Sequence, residues 1–168
     1  FPDWETLPYD LFSPHQDIIS QRIASLYRLP ELVHGVLVVP ITTALHRLAP
    51  TKFLLGSSLV LDIGQKLDVE QMRTRLEASG YRCVDTVYEH GEFAVRGALI
   101  DLFPMGSSQP YRIDLFDDEI ETLRTFDPET QRSIDKVESI KLLPAREFPL
   151  EKKAVTDFRG RFRERFDV

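Results

Sequence analysis

The sequence predicts a mixed chain, part α/β and part α+β, with an antiparallel sheet in its second half. Two observations carry this. A helix–strand–helix succession fills the first fifty residues, and from Gly91 to Leu143 short strand-like runs follow one another with only tight turns between them. A third observation places the break between the two parts. The character of the chain changes near Pro50, after which a strand, a capped helix and closely joined strands follow.

The opening stretch, DWETLPYDLFSPHQDI (residues 3–18), is irregular and punctuated by proline. Ser13 is expected to cap a helix, with Pro14 at its first position and Gln16 completing a capping box. Ile19, Ile23, Leu26 and Tyr27 recur at helical spacing and should face a core, and Pro30 should end the helix. GVLVV (residues 35–39) is a short, unbroken apolar run that fits a strand covered on both faces. TTALHRLA (residues 42–49) reads as a short helix after it.

LVLDIGQ (residues 59–65) reads as a strand closing on Gly64. Asp68 can cap a helix with Gln71 three residues on; Met72 and Leu76 form its inner face, and Gly80 supplies the stop. GEFAVRGALIDLFP (residues 91–104) is taken as a strand, with Arg96 on the same face as Ala94, Ala98 and Ile100. Gly106–Ser107–Ser108 is a turn, YRIDLF (residues 111–116) an alternating strand, Asp117–Asp118 a turn, and EIETLRTF (residues 119–126) a further strand. Asp127–Pro128 turns the chain again, and VESIKLL (residues 137–143) is the last strand. Pro144 and Pro149 mark an exit linker to a helix on which Ala154, Phe158, Phe162 and Phe166 recur every fourth residue, interleaved with Arg159, Arg161, Arg163 and Arg165.

Composition removes several function classes. The chain has 168 residues, 42% of them hydrophobic and 29% charged, as in ordinary globular proteins. Its formal charge of −6 argues against a general nucleic-acid binder. Cys83 is the single cysteine, so no disulfide framework exists and a reducing cytoplasm fits. No apolar run reaches membrane-spanning length, and no secretory leader is visible. The chain starts at Phe1 and stops on a charged helix, which reads as a piece of a longer protein.

Catalytic signatures are missing too. Neither the phosphate loop G-x-x-x-x-G-K-[ST] nor G-x-G-x-x-G occurs. His15, His34, His46 and His90 are scattered, and the acidic run Asp117–Glu119 reads as a solvated hairpin tip, so no metal site is expected. Arg82 beside Cys83 could lower its pKa, but a lone cysteine at a strand start reads as inert. Ser107 and Ser108 are ordinary turn residues. The Arg/Phe helix near the end could touch nucleic acid or a membrane surface, or its Phe stripe could pack on another domain.

The stronger signal lies in the sheet. Side chains alternate along a strand, so Tyr111, Ile113 and Leu115 suit the core while Arg112, Asp114 and Phe116 share the other face. If the strand carrying Arg96 pairs alongside with its charged face aligned, Arg96, Arg112 and Phe116 fall in one patch. Arginine and aromatic side chains are enriched at the energetic centres of protein interfaces. The competing reading pairs the arginines with Asp114 or a neighbouring glutamate and covers Phe116 with a helix.

GEFAVRGALIDLFP followed by YRIDLFDDEIETLRTFDPETQ closely resembles the UvrA-binding domain that the excision-repair protein UvrB shares with the bacterial transcription-repair coupling factors. DWETLPYDLFSPHQDIISQR and HGEFAVRGALIDLFPMGS are similar to the coupling-factor branch, whose N-terminal UvrB-like module the whole chain resembles. The resemblance implies three parts. Residues 1–57 would be the end of a degenerate helicase-like α/β domain, 58–144 an inserted α+β UvrA-binding domain, and 145–168 a linker and helix returning to the α/β domain. It implies UvrA contacts at Arg96, Arg112 and Phe116 and no catalytic or metal residues in this chain. It further implies a full-length ATP-driven DNA translocase that releases stalled RNA polymerase. ATP, magnesium, DNA and polymerase would be bound by domains outside this chain. UvrB's phosphate loop and damage-probing hairpin have no counterpart here.

Overall fold

A computed structural model of the protein describes residues 1–7 and 10–166; Pro8 and Tyr9 of the irregular opening lie outside the described residues. Its centre is a six-stranded sheet, with a two-stranded sheet and helices against one face.

Helix α1 (Gln16–Arg28) begins two residues later than the Ser13 capping box predicts, because His15 is the N-cap and its ring accepts from the Asp17 N–H. The helix buries Ile23 and Leu26, with Ile19 and Tyr27 packed at the margin, as the helical spacing requires. It passes into a 3-10 turn at Leu29–Glu31, where Pro30 ends it. The expected strand at Gly35–Val39 does not form. This stretch belongs to neither sheet, and Val36 is 90% exposed. An apolar run becomes a covered strand only if other strands pair with it, and among the described residues none does. The helix expected at 42–49 is a single turn, α2 (Ile41–Ala44), followed by α3 (Thr51–Gly56).

The second part follows its pattern more closely. β1 (Leu59–Asp62) pairs antiparallel with β8 (Ser139–Leu142). Helix α4 (Val69–Ala78) is capped as expected: the Asp68 carboxylate accepts from the Gln71 N–H at 2.8 Å, and Met72 and Leu76 are buried. Gly80, at φ +96°, ends it where a Cβ would collide with Arg146 at 2.4 Å.

The large sheet runs β2 (Arg82–Cys83), β3 (Glu92–Arg96), β4 (Leu99–Leu102), β5 (Tyr111–Phe116), β6 (Glu119–Phe126), β7 (Ser133–Val137) in that spatial order, antiparallel except for β2–β3. GEFAVRGALIDLFP is therefore a hairpin, not one strand. It folds at Gly97–Ala98, with the left-handed φ of +63° falling on Gly97. The reversal puts Ile100 in the core, opposite the face of Arg96. β7 is an additional strand, split from β8 at Glu138, that polar SIDKV did not reveal; four of its five residues are exposed.

One face of this sheet (Phe93, Ile100, Leu102, Ile113, Leu115, Ile120, Leu123) joins α1, α4, β1 and β8 in a single core. The start and exit of the chain are fastened to it by a buried ion pair. Arg22 Nε donates to Glu147 at 2.6 Å, Arg22 Nη1 donates to the Pro2 carbonyl at 2.8 Å, and the guanidinium lies against the Phe1 and Trp4 rings. The expected exit linker is thus anchored through Glu147. α5 (Lys152–Phe166) follows with no residue buried.

Removing one partner of a buried pair leaves the other charge uncompensated. Glu147→Ala should lower unfolding free energy by about 3 kcal/mol, read from the urea midpoint; an unchanged midpoint would mean that the clamp contributes nothing. A second expectation concerns acid. Burial raises the pKa of Glu92, but the Tyr88 and Glu89 N–H groups and the Arg82 guanidinium outweigh it and hold the carboxyl below its ordinary value of 4.5. Its contribution to stability is complete above that value and is lost as pH falls through the lowered folded-state value. Glu92→Gln should therefore flatten part of the acid limb of a stability–pH curve.

Candidate functional site

The face of the large sheet opposite the core is polar, and its layout follows from register. Ala94 lies opposite Asp101, Asp101 opposite Arg112, Arg112 opposite Arg124, and Arg124 opposite Lys136. Arg96, Leu99 and Asp114 form the next row, and Phe116 lies one step beyond Asp114 on the same side of β5. Arg96, Arg112 and Phe116 therefore share one face, as alternation predicts. The two arginines do not sit on neighbouring strands: β4 runs between them, and it carries Asp101.

Asp101 is fully buried and binds both arginines. Arg112 grips it bidentately, Nε to Oδ1 at 2.7 Å and Nη2 to Oδ2 at 2.9 Å, while Arg96 Nη2 donates to Oδ2. Hydrogen bonding to Asp101 raises the pKa of Arg112 further, against the opposing effect of partial burial. Arg112 also donates to the Gln131 carbonyl at 3.2 Å and lies over the Phe126 ring. Its guanidinium is thus largely occupied within the chain, with the side chain 16% exposed. Arg96 differs: its side chain is 49% exposed, so donors remain free to face solvent.

The burial of Asp101 has an identifiable cause. Val87, Ala94, Phe103 and Phe126 form a second small apolar cluster on this face, and Gln131 Nε2 donates to the Val87 carbonyl at 3.0 Å. The loop before β3 thereby closes one end of the polar face. The other end is open, and Phe116 is 69% exposed, with no helix above it among the described residues. Asp117, at φ +53°, makes the adjoining turn, and Asp118 pairs with Lys66 at 3.0 Å. Asp101 was missed in reading the residues for a site, although an acidic residue inside LIDLF was a signal: nothing else in that run is polar.

Other candidates resolve as structural groups. His90 bridges Asp17 and the Ser107 carbonyl at 2.7 and 2.8 Å and stacks on Phe103, which ties α1 to the module. Cys83 is exposed and unpaired. Among the described residues no group of three His, Cys, Asp or Glu could hold a metal ion, and no helix is long and apolar enough to cross a membrane. On α5, Phe158, Phe162 and Phe166 stack on one another and remain exposed alongside the arginines.

A sheet with one face in the core and the other offering an anchored arginine pair and a bare aromatic ring is the build of a protein-interaction module. The chain belongs to the UvrB interaction domain family, whose model matches residues 59–148. Over 166 residues, 99% of the chain, it is 57% identical to the transcription-repair-coupling factor of Escherichia coli (strain K12) and 55% identical to that of Haemophilus influenzae. It is 31% identical over 147 residues to that of Bacillus subtilis (strain 168). The chain spans 14% of the length of the first two relatives.

Asp101→Asn removes the anion from between two guanidiniums. It should cost about 3 kcal/mol of stability by chemical denaturation; a loss below about 1 kcal/mol, the range of an exposed pair, would show that the site is not held by this carboxylate.

Proposed function

We propose that the chain is a non-catalytic docking module that recruits UvrA, through Arg96, Arg112 and Phe116. One observation carries the reading: these three residues lie on one sheet face, with the Phe116 ring uncovered and the Arg96 guanidinium half exposed. An exposed benzyl ring beside a pre-positioned guanidinium suits a partner offering an apolar pocket rimmed by carboxylates. Arg112 acts mainly from behind, sharing Asp101 with Arg96 and so fixing where the Arg96 fork stands.

The relatives are transcription-repair-coupling factors, and the reading extends to the rest of such a protein. Residues 1–57 are the end of a helicase-like α/β domain, 58–144 the UvrA-binding domain, and 145–168 the return into the first. The whole protein is an ATP- and magnesium-dependent DNA translocase of the cytoplasm that releases stalled RNA polymerase, through domains other than this one. The exposed α5 is less well suited to hold DNA, because its Phe stripe is as open as its arginines and the chain carries net charge −6.

Titration of UvrA into the chain in a calorimeter tests the reading. Arg96→Ala and Phe116→Ala should each weaken binding by about tenfold or more. Phe116→Ala should leave circular dichroism and melting unchanged, and Arg96→Ala should lower the melting temperature but stay folded, because Arg112 still holds Asp101. No heat and no co-elution with UvrA would reject it, and a variant that unfolds would move its residue from the docking surface to the scaffold.

A further inference from the structure

We infer that the docking face continues past Arg112 across β6 to the edge strand β7, where Arg124 and Lys136 form a second anchor for carboxylates of the same partner. This rests on the UvrA-docking reading. Arg112, Arg124 and Lys136 stand directly opposite one another on three adjacent strands. Like charges in cross-strand register destabilise a sheet, and this chain holds 27 acidic residues against 21 basic ones, so three aligned cations are not a by-product of composition.

The three are compensated unequally. Arg112 has Asp101. Arg124 has Asp114 at 3.7 Å, beyond hydrogen-bond reach, and the same Asp114 oxygen accepts from the Thr122 hydroxyl at 2.8 Å. The Arg124 Nε is buried without any hydrogen-bond partner. The rest of the Arg124 side chain is 37% exposed, so its terminal Nη donors, not the enclosed Nε, are what a partner's carboxylate can reach. Lys136 is exposed and makes no ion pair among the described residues. Strands lie about 4.8 Å apart, so the row spans about 10 Å, a width that two carboxylates on one helix turn or one acidic loop can match.

Charge selects the kind of occupant. The row is short and is flanked by Asp114 in the next row, and the chain carries net charge −6, which disfavours a long polyanion such as a phosphodiester backbone. Discrete carboxylates on a folded protein can be placed over Arg124 and Lys136 alone. The patch is continuous with Phe116 and Arg96 on the same sheet face.

The test is titration of UvrA at low and moderate salt into the unsubstituted chain, Arg124→Gln, Lys136→Gln and Lys136→Glu. Arg124→Gln should weaken binding about tenfold. Lys136→Gln should weaken it by a smaller factor, chiefly through slower association and a shallower salt dependence, and Lys136→Glu by more. Should Arg124→Gln fail to fold, the two exposed Lys136 variants decide the matter. Binding as tight as that of the unsubstituted chain in all folded variants, while Arg96→Ala still weakens it, overturns this anchor and leaves the docking reading standing. Failure of the unsubstituted chain to bind UvrA removes both. Salt-dependent binding of duplex DNA that the same variants abolish overturns the anchor in favour of phosphate.

Discussion

A single carboxylate organises the polar face of the large sheet. Asp101 is wholly buried, and a buried charge is tolerable only when paired and hydrogen-bonded. The pairing comes from two directions at once, Arg112 on β5 and Arg96 on β3. Strand β4 thereby acts as the reference from which both guanidiniums are placed. The complete burial of Asp101 keeps water from the carboxylate, which strengthens both contacts. Without that carboxylate Arg112 and Arg96 would be flexible surface cations, with long side chains to order whenever a partner arrived.

The molecule is divided between what is satisfied and what is left open. The core face of the sheet, the Arg22–Glu147 clamp and the His90 bridge tie α1, the chain start and the segment around Glu147 to the module. Beyond them, Phe116, Arg96, Arg124 and Lys136 stand on a rigid sheet with their polar capacity incompletely used. Rigid support matters for docking because ordering a mobile side chain at an interface costs about 0.5–1.5 kcal/mol. Gly35–Val39 and α5 are open in another sense. Their apolar side chains are exposed, but no structured face around them marks out what would cover them.

Elements with a local signal were legible. α4 could be read from Asp68, Met72, Leu76 and Gly80, because cap, stripe and stop lie within one short segment. The Asp117–Asp118 turn was equally plain. The hairpin at Gly97 was read through as one strand, since VRGALI lacks the Asn-Gly or Asp-Gly pair that announces such turns. β7 stayed hidden because an edge strand with a solvated polar sequence resembles a loop until its neighbour is known. On the polar face, the shared side of Arg96, Arg112 and Phe116 is legible from alternation, whereas the role of Asp101 is not, because the acid lies within an apolar run.

Strand periodicity by itself determined which residues of YRIDLF face the core and which face out, since alternation belongs to the local backbone and needs no partner. The same local information brought out the motif by which the chain resembles its family. Only the tertiary structure decided which strands lie side by side, and hence that Asp101 stands between two arginines, that Arg124 faces Lys136, and that Gly35–Val39 joins no sheet among the described residues. Those facts depend on hydrogen bonds between residues far apart along the chain, and register across such distances is selected by the packing of the whole sheet.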